Sequence, residues 1–123
     1  VERVFVYGTL KRGERNHALV AGRVQRVVPG YAEGFALYHL PAGGERPYAY
    51  PAMVRGEGRV YGEVLFLPGE ALPLLDALEE EGEEYRRERI LVHTEEGPME
   101  AWAYLYLRDL GEALPLPKGV WPP

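Results

Sequence analysis

The chain has no cysteine and no serine, and its only aliphatic hydroxyl side chains are Thr9 and Thr94. Disulfides, thiolate metal sites and Ser or Cys nucleophiles are therefore excluded. The three histidines, His17, His39 and His93, are far apart and match no His-x₃-His spacing, so no metal site is expected. His39 and His93 read as strand residues with satisfied hydrogen bonds. Asn and Gln occur once each, and two lysines stand against twelve arginines. That bias, with eleven prolines, fits a heat-adapted protein from a GC-rich genome. No apolar run is long enough to span a membrane and no signal peptide is evident, so a cytoplasmic protein without a membrane partner is expected. The formal charge is −5 and is unevenly spread. Residues 1–56 carry eight basic and four acidic groups, and residues 57–123 carry six and fifteen. Such an acidic chain is a poor partner for a nucleic-acid backbone. If it is an enzyme, a carboxylate or a tyrosine must carry the protons.

With 123 residues and 46% hydrophobic content, the chain suits one domain with a real core. Two features stand out. The first is the apolar run Val4-Phe5-Val6, which enters Tyr7-Gly8-Thr9-Leu10. A strand that ends in glycine can offer backbone N–H groups to a molecule approaching the main chain. Thr9 adds a short donor and acceptor, and Tyr7 a ring with a polar tip. The same residues also read as an ordinary strand-end turn.

The second feature is an apolar-periodic segment, predicted as a helix over residues 70–81. Pro73 fits only its first turn. Leu72, Leu74, Leu75 and Leu78 define one apolar arc with Ala71, and at about 100° per residue Glu79 falls inside it. Glu80 falls opposite, and Glu81 just outside. A carboxylate aimed at a core is costly unless something there uses it. The competing reading is a fraying helix end with Glu79 solvated, its acids offset by Arg86, Arg87 and Arg89.

The remaining pattern is mostly strands. Residues 3–7, 23–28, 31–38, 59–67, 85–93 and 99–107 are strand-like, with Pro29-Gly30 dividing the second from the third and Gly62 a candidate bulge. Asn16 is placed to cap a short helix, residues 17–21. Residues 11–14 and 40–47 read as loops. The expected fold class is mixed α/β (α+β), a small β-barrel or strongly curved mixed sheet with two short flanking helices. The domain is expected over residues 1–110, with residues 111–123 a Pro-rich, irregular tail packed on its surface.

An ordered set of short motifs then emerges: Tyr7-Gly8-Thr9-Leu10, Arg12-Gly13, Asn16-His17, Tyr50-Pro51-Ala52, Val60-Tyr61-Gly62-Glu63-Val64, Leu75-Asp76-Ala77-Leu78-Glu79, Tyr85-Arg86-Arg87 and Ala101-Trp102-Ala103-Tyr104. From about residue 4 to residue 107 the chain resembles the γ-glutamylcyclotransferase-like, or AIG2-like, family. The resemblance implies a small barrel with flanking helices. It also implies a cofactor-free reaction, in which the α-amine of a γ-glutamyl compound attacks its own γ-carbonyl to give 5-oxoproline and a released amine or amino acid. The family's general acid/base falls on Glu79 and its substrate-cradling loop on Tyr7, Gly8, Thr9 and Leu10. N–H groups near Gly8 and Thr9 would stabilise the oxyanion. Tyr85 and Tyr104 would shape the pocket, or serve as core aromatics. The family often has Gly after the key Glu, whereas this chain has Glu80-Glu81-Gly82-Glu83-Glu84, a longer and more acidic loop. The alternative is a non-catalytic module that binds a small carboxylate or amide in the same pocket.

Overall fold

The computed structural model describes residues 1–123. Five strands form a closed, mixed sheet: β1 (Glu2–Val6), β2 (Arg26–Leu40), β3 (Tyr50–Leu67), β4 (Tyr85–Thr94) and β5 (Gly97–Tyr106). The order runs β3-β1-β5-β4-β2, and β2 also pairs with β3, which closes the ring. A sixth, two-residue strand, β6 (Leu114–Pro115), lies against β2. The one α-helix, α1 (Leu72–Leu78), follows β3.

The continuous apolar run in β1 has a simple cause: both of its faces are buried. Phe5 and Tyr7 join one apolar cluster with Val64, Ala103 and Met53. Val4 and Val6 join another with Leu65, Tyr104 and Leu75 of α1. Because the helix packs on the Val4 face, that face is the outer one, and the Phe5 face lines the inside of the barrel. Successive strand residues point to opposite faces, so each strand serves both clusters.

Several sequence expectations change here. Residues 23–28 and 31–38 are not two strands. They belong to the single strand β2, which pairs with β3 from Arg26↔Phe66 to Leu40↔Tyr50. Pro29 is tolerated because β4 reaches β2 only at Gly30 and Tyr31, so Pro29 has a strand neighbour on one side. The irregularity in the β2–β3 pairing falls between Glu33 and Phe35, not at Gly62. Gly62 is instead a close approach: a Cβ there would collide with the Val6 carbonyl.

The predicted pair of helices reduces to one. After Asn16 the chain makes a single 3-10 turn, His17–Leu19, and the Asn16 side chain does not cap it. The segment predicted over 70–81 opens as a 3-10 turn, Gly69–Ala71, and is α-helical only to Leu78. Its end is a Schellman motif. Glu79 is the C-cap, Glu80 takes φ 49°, and Glu81 N–H returns to the Asp76 carbonyl at 2.9 Å. The helical phase therefore holds through Glu79 and says nothing of Glu80 or Glu81.

The tail does more than lie on the surface. Trp121 is only 6% exposed and belongs to the inner cluster. Its indole N–H donates to His39 Nδ1 at 3.0 Å. No helix is long and apolar enough to cross a membrane.

Candidate active site

At the end of β1 the chain leaves the sheet, and the two apolar clusters part. A cavity of about 240 Å³ opens there. Tyr7, Gly8, Thr9 and Leu10 form one wall, and Leu78 and Glu79 of the helix end form another. Tyr85 and Tyr104 line its floor, while Tyr48, Tyr50 and Pro51 come from the loop before β3 and its first residues. Two segments about seventy residues apart in sequence thus share one cavity.

The loop after β1 is held in place by polar contacts that leave its donors free. Asn16 Nδ2 donates to Thr9 Oγ1 at 3.0 Å and to Tyr48 Oη at 3.1 Å, and Asn16 N–H donates to the Thr9 carbonyl at 2.8 Å. His17 Nδ1 lies 2.8 Å from the Leu10 carbonyl oxygen. Lys11 N–H closes a turn onto the Gly8 carbonyl. The N–H groups of Gly8, Thr9 and Leu10 themselves donate to no acceptor in the protein. These residues are buried, and buried N–H groups are normally paired. Unpaired backbone donors of this kind have the chemistry to accept a carboxylate or a developing oxyanion.

Gly8 has a different justification from the one its position in the motif suggests. A Cβ there would collide with the Pro51 ring. The missing side chain makes room for this protein's own proline, which in turn forms part of the cavity wall.

Glu79 is half-buried, with its carboxylate on the cavity. No hydrogen bond or ion pair compensates it. Burial, and then the charge of Glu84, push its pKa from 4.5 up to about 8. Of the neighbouring acids only Glu84 acts on it; Glu80, Glu81 and Glu83 are exposed. Glu84 is 8% exposed and accepts a hydrogen bond from Tyr50 Oη at 2.5 Å.

The tyrosine hydroxyls are committed to the scaffold. Tyr7 Oη donates to the Tyr104 carbonyl at 2.6 Å, and Tyr85 Oη to the Pro51 carbonyl at 2.7 Å. Tyr104 Oη donates to Asp76 Oδ1 at 2.6 Å. Burial raises all three above the ordinary tyrosine value, so none is a ready base. Of the two proton-carrying side-chain types expected from composition, only the Glu79 carboxylate is shifted toward neutral pH. Asp76 also forms an ion pair with Arg87, Nε lying 3.0 Å from Oδ1, which ties α1 to β4 and β5 near the helix end that carries Glu79. Arg86 and Arg89 take no part in offsetting the acids there, while Arg108 lies 3.9 Å from both Glu80 and Glu84. No three His, Asp or Glu side chains converge as metal ligands.

Residues 4–123 match the family model described as gamma-glutamyl cyclotransferase, AIG2-like. The chain belongs to this family. A putative gamma-glutamylcyclotransferase of Vibrio cholerae is 38% identical over 104 residues, spanning 84% of this chain and 80% of that protein. The gamma-glutamylaminecyclotransferase of Bos taurus is 38% identical over 106 residues, spanning 82% of this chain and 63% of that protein. The solution structure of YtfP from Escherichia coli superposes with a TM-score of 0.71 at 33% identity, covering 98% of this chain and 96% of that one.

In this cyclotransferase-family chain, every residue singled out from the sequence lies on the one cavity: Tyr7, Gly8, Thr9, Leu10, Glu79, Tyr85 and Tyr104. Sequence reasoning gave Tyr48, Tyr50 and Glu84 no role in the site and gave Asn16 only a helix cap. Asn16 and Tyr50 also stood in short motifs. Glu84 was hidden in an acidic run that reads as solvated, and no local signal marks it as the buried member.

Proposed function

We propose that the protein cyclises a γ-glutamyl compound to 5-oxoproline and releases the attached amine or amino acid, with Glu79 as the general acid/base. The observation that carries this reading is the lone, uncompensated Glu79 carboxylate beside three free N–H donors. With its pKa raised to about 8, Glu79 is a much closer match to an amino-acid α-ammonium than an ordinary carboxylate is, which lowers the energetic penalty of passing a proton between the two. The positive charge of an arriving α-ammonium favours ionised Glu79 and prepares it to act as base.

The steps balance without water. Glu79 takes one proton from the α-ammonium. The freed amine attacks the γ-carbonyl, and its oxygen becomes an oxyanion held by the N–H groups near Gly8 and Thr9. The C–N bond to the leaving nitrogen breaks, and Glu79 returns protons from the attacking nitrogen to the leaving one. The released amine departs as its ammonium form. The nucleophile comes from the substrate, so the lack of Ser and Cys is no obstacle. Folding a flexible glutamyl chain for attack is an orientation task, and a walled cavity can supply several kcal/mol toward it.

The test is 5-oxoproline release from a panel of γ-glutamyl amino acids and amines by purified protein. Glu79→Gln keeps the shape and removes the proton carrier. It is expected to lower kcat about 10²–10⁴-fold with substrate binding nearly intact. A panel that yields no 5-oxoproline, together with calorimetric binding of the same compounds, would replace the enzyme with a binding module. Full activity in Glu79→Gln would remove Glu79 from the role.

A further inference from the structure

We infer that residues 114–121 form a clamp behind the loop after β1, and that Trp121 and Lys11 are positioning residues that hold the Gly8, Thr9 and Leu10 N–H groups in place for the reaction. This rests on the cyclotransferase reading above and brings into it residues outside the cavity.

The clamp takes over where two strands leave the barrel. β1 pairs with β3 only as far as Val6↔Glu63. Two residues away on β3, the Tyr61 N–H donates to the Gly119 carbonyl at 2.8 Å. β4 pairs with β2 only at Gly30 and Tyr31. Further along β2, Tyr38 and His39 pair with β6, and the Leu116 N–H donates to the Leu37 carbonyl at 2.8 Å. The segment thus finds partners on β2 and β3 that β4 and β1 do not reach. Its path is fixed at Gly119, which takes φ 70° and where a Cβ would collide with the Arg59 carbonyl. That turn delivers Trp121 to the inner cluster, to which Tyr7 also belongs.

Trp121 there makes two polar contacts, one toward each part of the loop's back wall. Its carbonyl accepts from Lys11 Nζ, and Lys11 directly follows Leu10. A part-buried ammonium on a carbonyl is a charge-assisted bond, stronger than a neutral one. The indole N–H donates to His39 Nδ1 at 3.0 Å, with the two ring planes at 25°. His39 stands opposite Pro51 in the β2–β3 register. Pro51 in turn fills the space beside Gly8 that a Cβ would need. One residue therefore braces the loop twice, directly through Lys11 and indirectly through His39 and Pro51.

Trp121, Lys11 and His39 do not line the cavity, so they act through the loop and not on the substrate. The loop needs such a brace because its function depends on placement. Donors serve an oxyanion only when aimed at it, and a displacement of about 1 Å can cost about 10²-fold in rate.

The experiment measures kcat and KM for 5-oxoproline release, Tm, and amide hydrogen exchange in the unaltered protein, Lys11→Met, Lys11→Arg, Trp121→Phe and Ile90→Val. Lys11→Met keeps the stem and removes the donor, whereas Lys11→Arg keeps a donor. Trp121→Phe keeps a ring and removes the indole N–H. Ile90→Val takes a methyl from the same apolar cluster without touching either polar contact, and so controls for simple destabilisation. Lys11→Met and Trp121→Phe are each expected to lower kcat about tenfold with KM within about twofold, because the donors act on the developing oxyanion. Lys11→Arg is expected to regain most of that loss, and Ile90→Val to lower Tm with kcat unchanged. The Asn16 amide, which donates to the Thr9 carbonyl, is expected to exchange about tenfold faster in Lys11→Met and Trp121→Phe. Full kcat and unchanged exchange in those two variants overturn the clamp. An equal loss of kcat in Ile90→Val overturns it as well, since destabilisation alone would then suffice. A rise in KM with kcat unchanged overturns the positioning of the oxyanion donors. No 5-oxoproline from the unaltered protein overturns the reaction, and the Asn16 exchange rates then decide the clamp by themselves.

Discussion

Replacing Glu79 by Gln should make the protein more stable in a way that depends on pH. In the folded state the carboxyl titrates at about 8 instead of 4.5. Between those values the folded protein holds a proton that the unfolded chain has lost. Unfolding stability therefore falls as pH rises from 4.5 through 8. At about 1.4 kcal/mol per pK unit, the ionised side chain costs the fold at most about 5 kcal/mol above pH 8. Water entering the cavity reduces this, and about 2–4 kcal/mol is expected. Gln mimics the protonated form and escapes the cost. At pH 4 the two proteins should unfold at nearly the same urea concentration. At pH 9 the variant should be more stable, with Tm higher by roughly 10 °C. Other groups titrate in both proteins and cancel in the difference, apart from Glu84, which is coupled to residue 79. The variant that gains stability is the one expected to lose turnover. Parallel stability–pH curves for the two proteins would refute the burial argument, because they would mean that Glu79 ionises equally well folded and unfolded.

Two further substitutions test the walls of the cavity. Glu80→Gly removes a side chain from the left-handed position; relief of strain outweighs the added chain entropy, and a gain of about 0.5–1 kcal/mol in urea unfolding is expected. A loss of stability would show that the Glu80 side chain holds the helix end. Gly8→Ala drives a methyl into the Pro51 ring, and overpacking of this kind costs about 1–3 kcal/mol. It should also weaken substrate binding more than a change outside the cavity, and unchanged binding and stability would mean that the wall yields freely.

The local pattern of the chain determined much of this protein. The β1 run, the strand-like character of residues 59–67, 85–93 and 99–107, and the short helix around Leu75 follow from apolar spacing and from Pro73. The absence of Ser and Cys limited the chemistry before any contact was known. Helical phase singled out Glu79, and α1 extends just far enough for Glu79 to be its cap and to line the cavity.

Only the tertiary structure decided the rest. Pro29-Gly30 looks like a break because both residues disfavour strands locally, yet β2 runs through them under the pairing with β3. The sequence marks Gly8 and Gly62 as special but not what fills the space beside them: Pro51 in one case and the Val6 carbonyl in the other. The tyrosine hydroxyls look available until Tyr104, Pro51 and Asp76 are brought within reach. Glu84 resembles Glu83 in every local respect, but it starts the return into β4 and is buried beside Tyr50, while Glu83 faces solvent. Periodicity reports which way a side chain points from its own element. What it meets there is set by strand register and closure across the whole chain, and burial, pairing and proton affinity follow from that meeting.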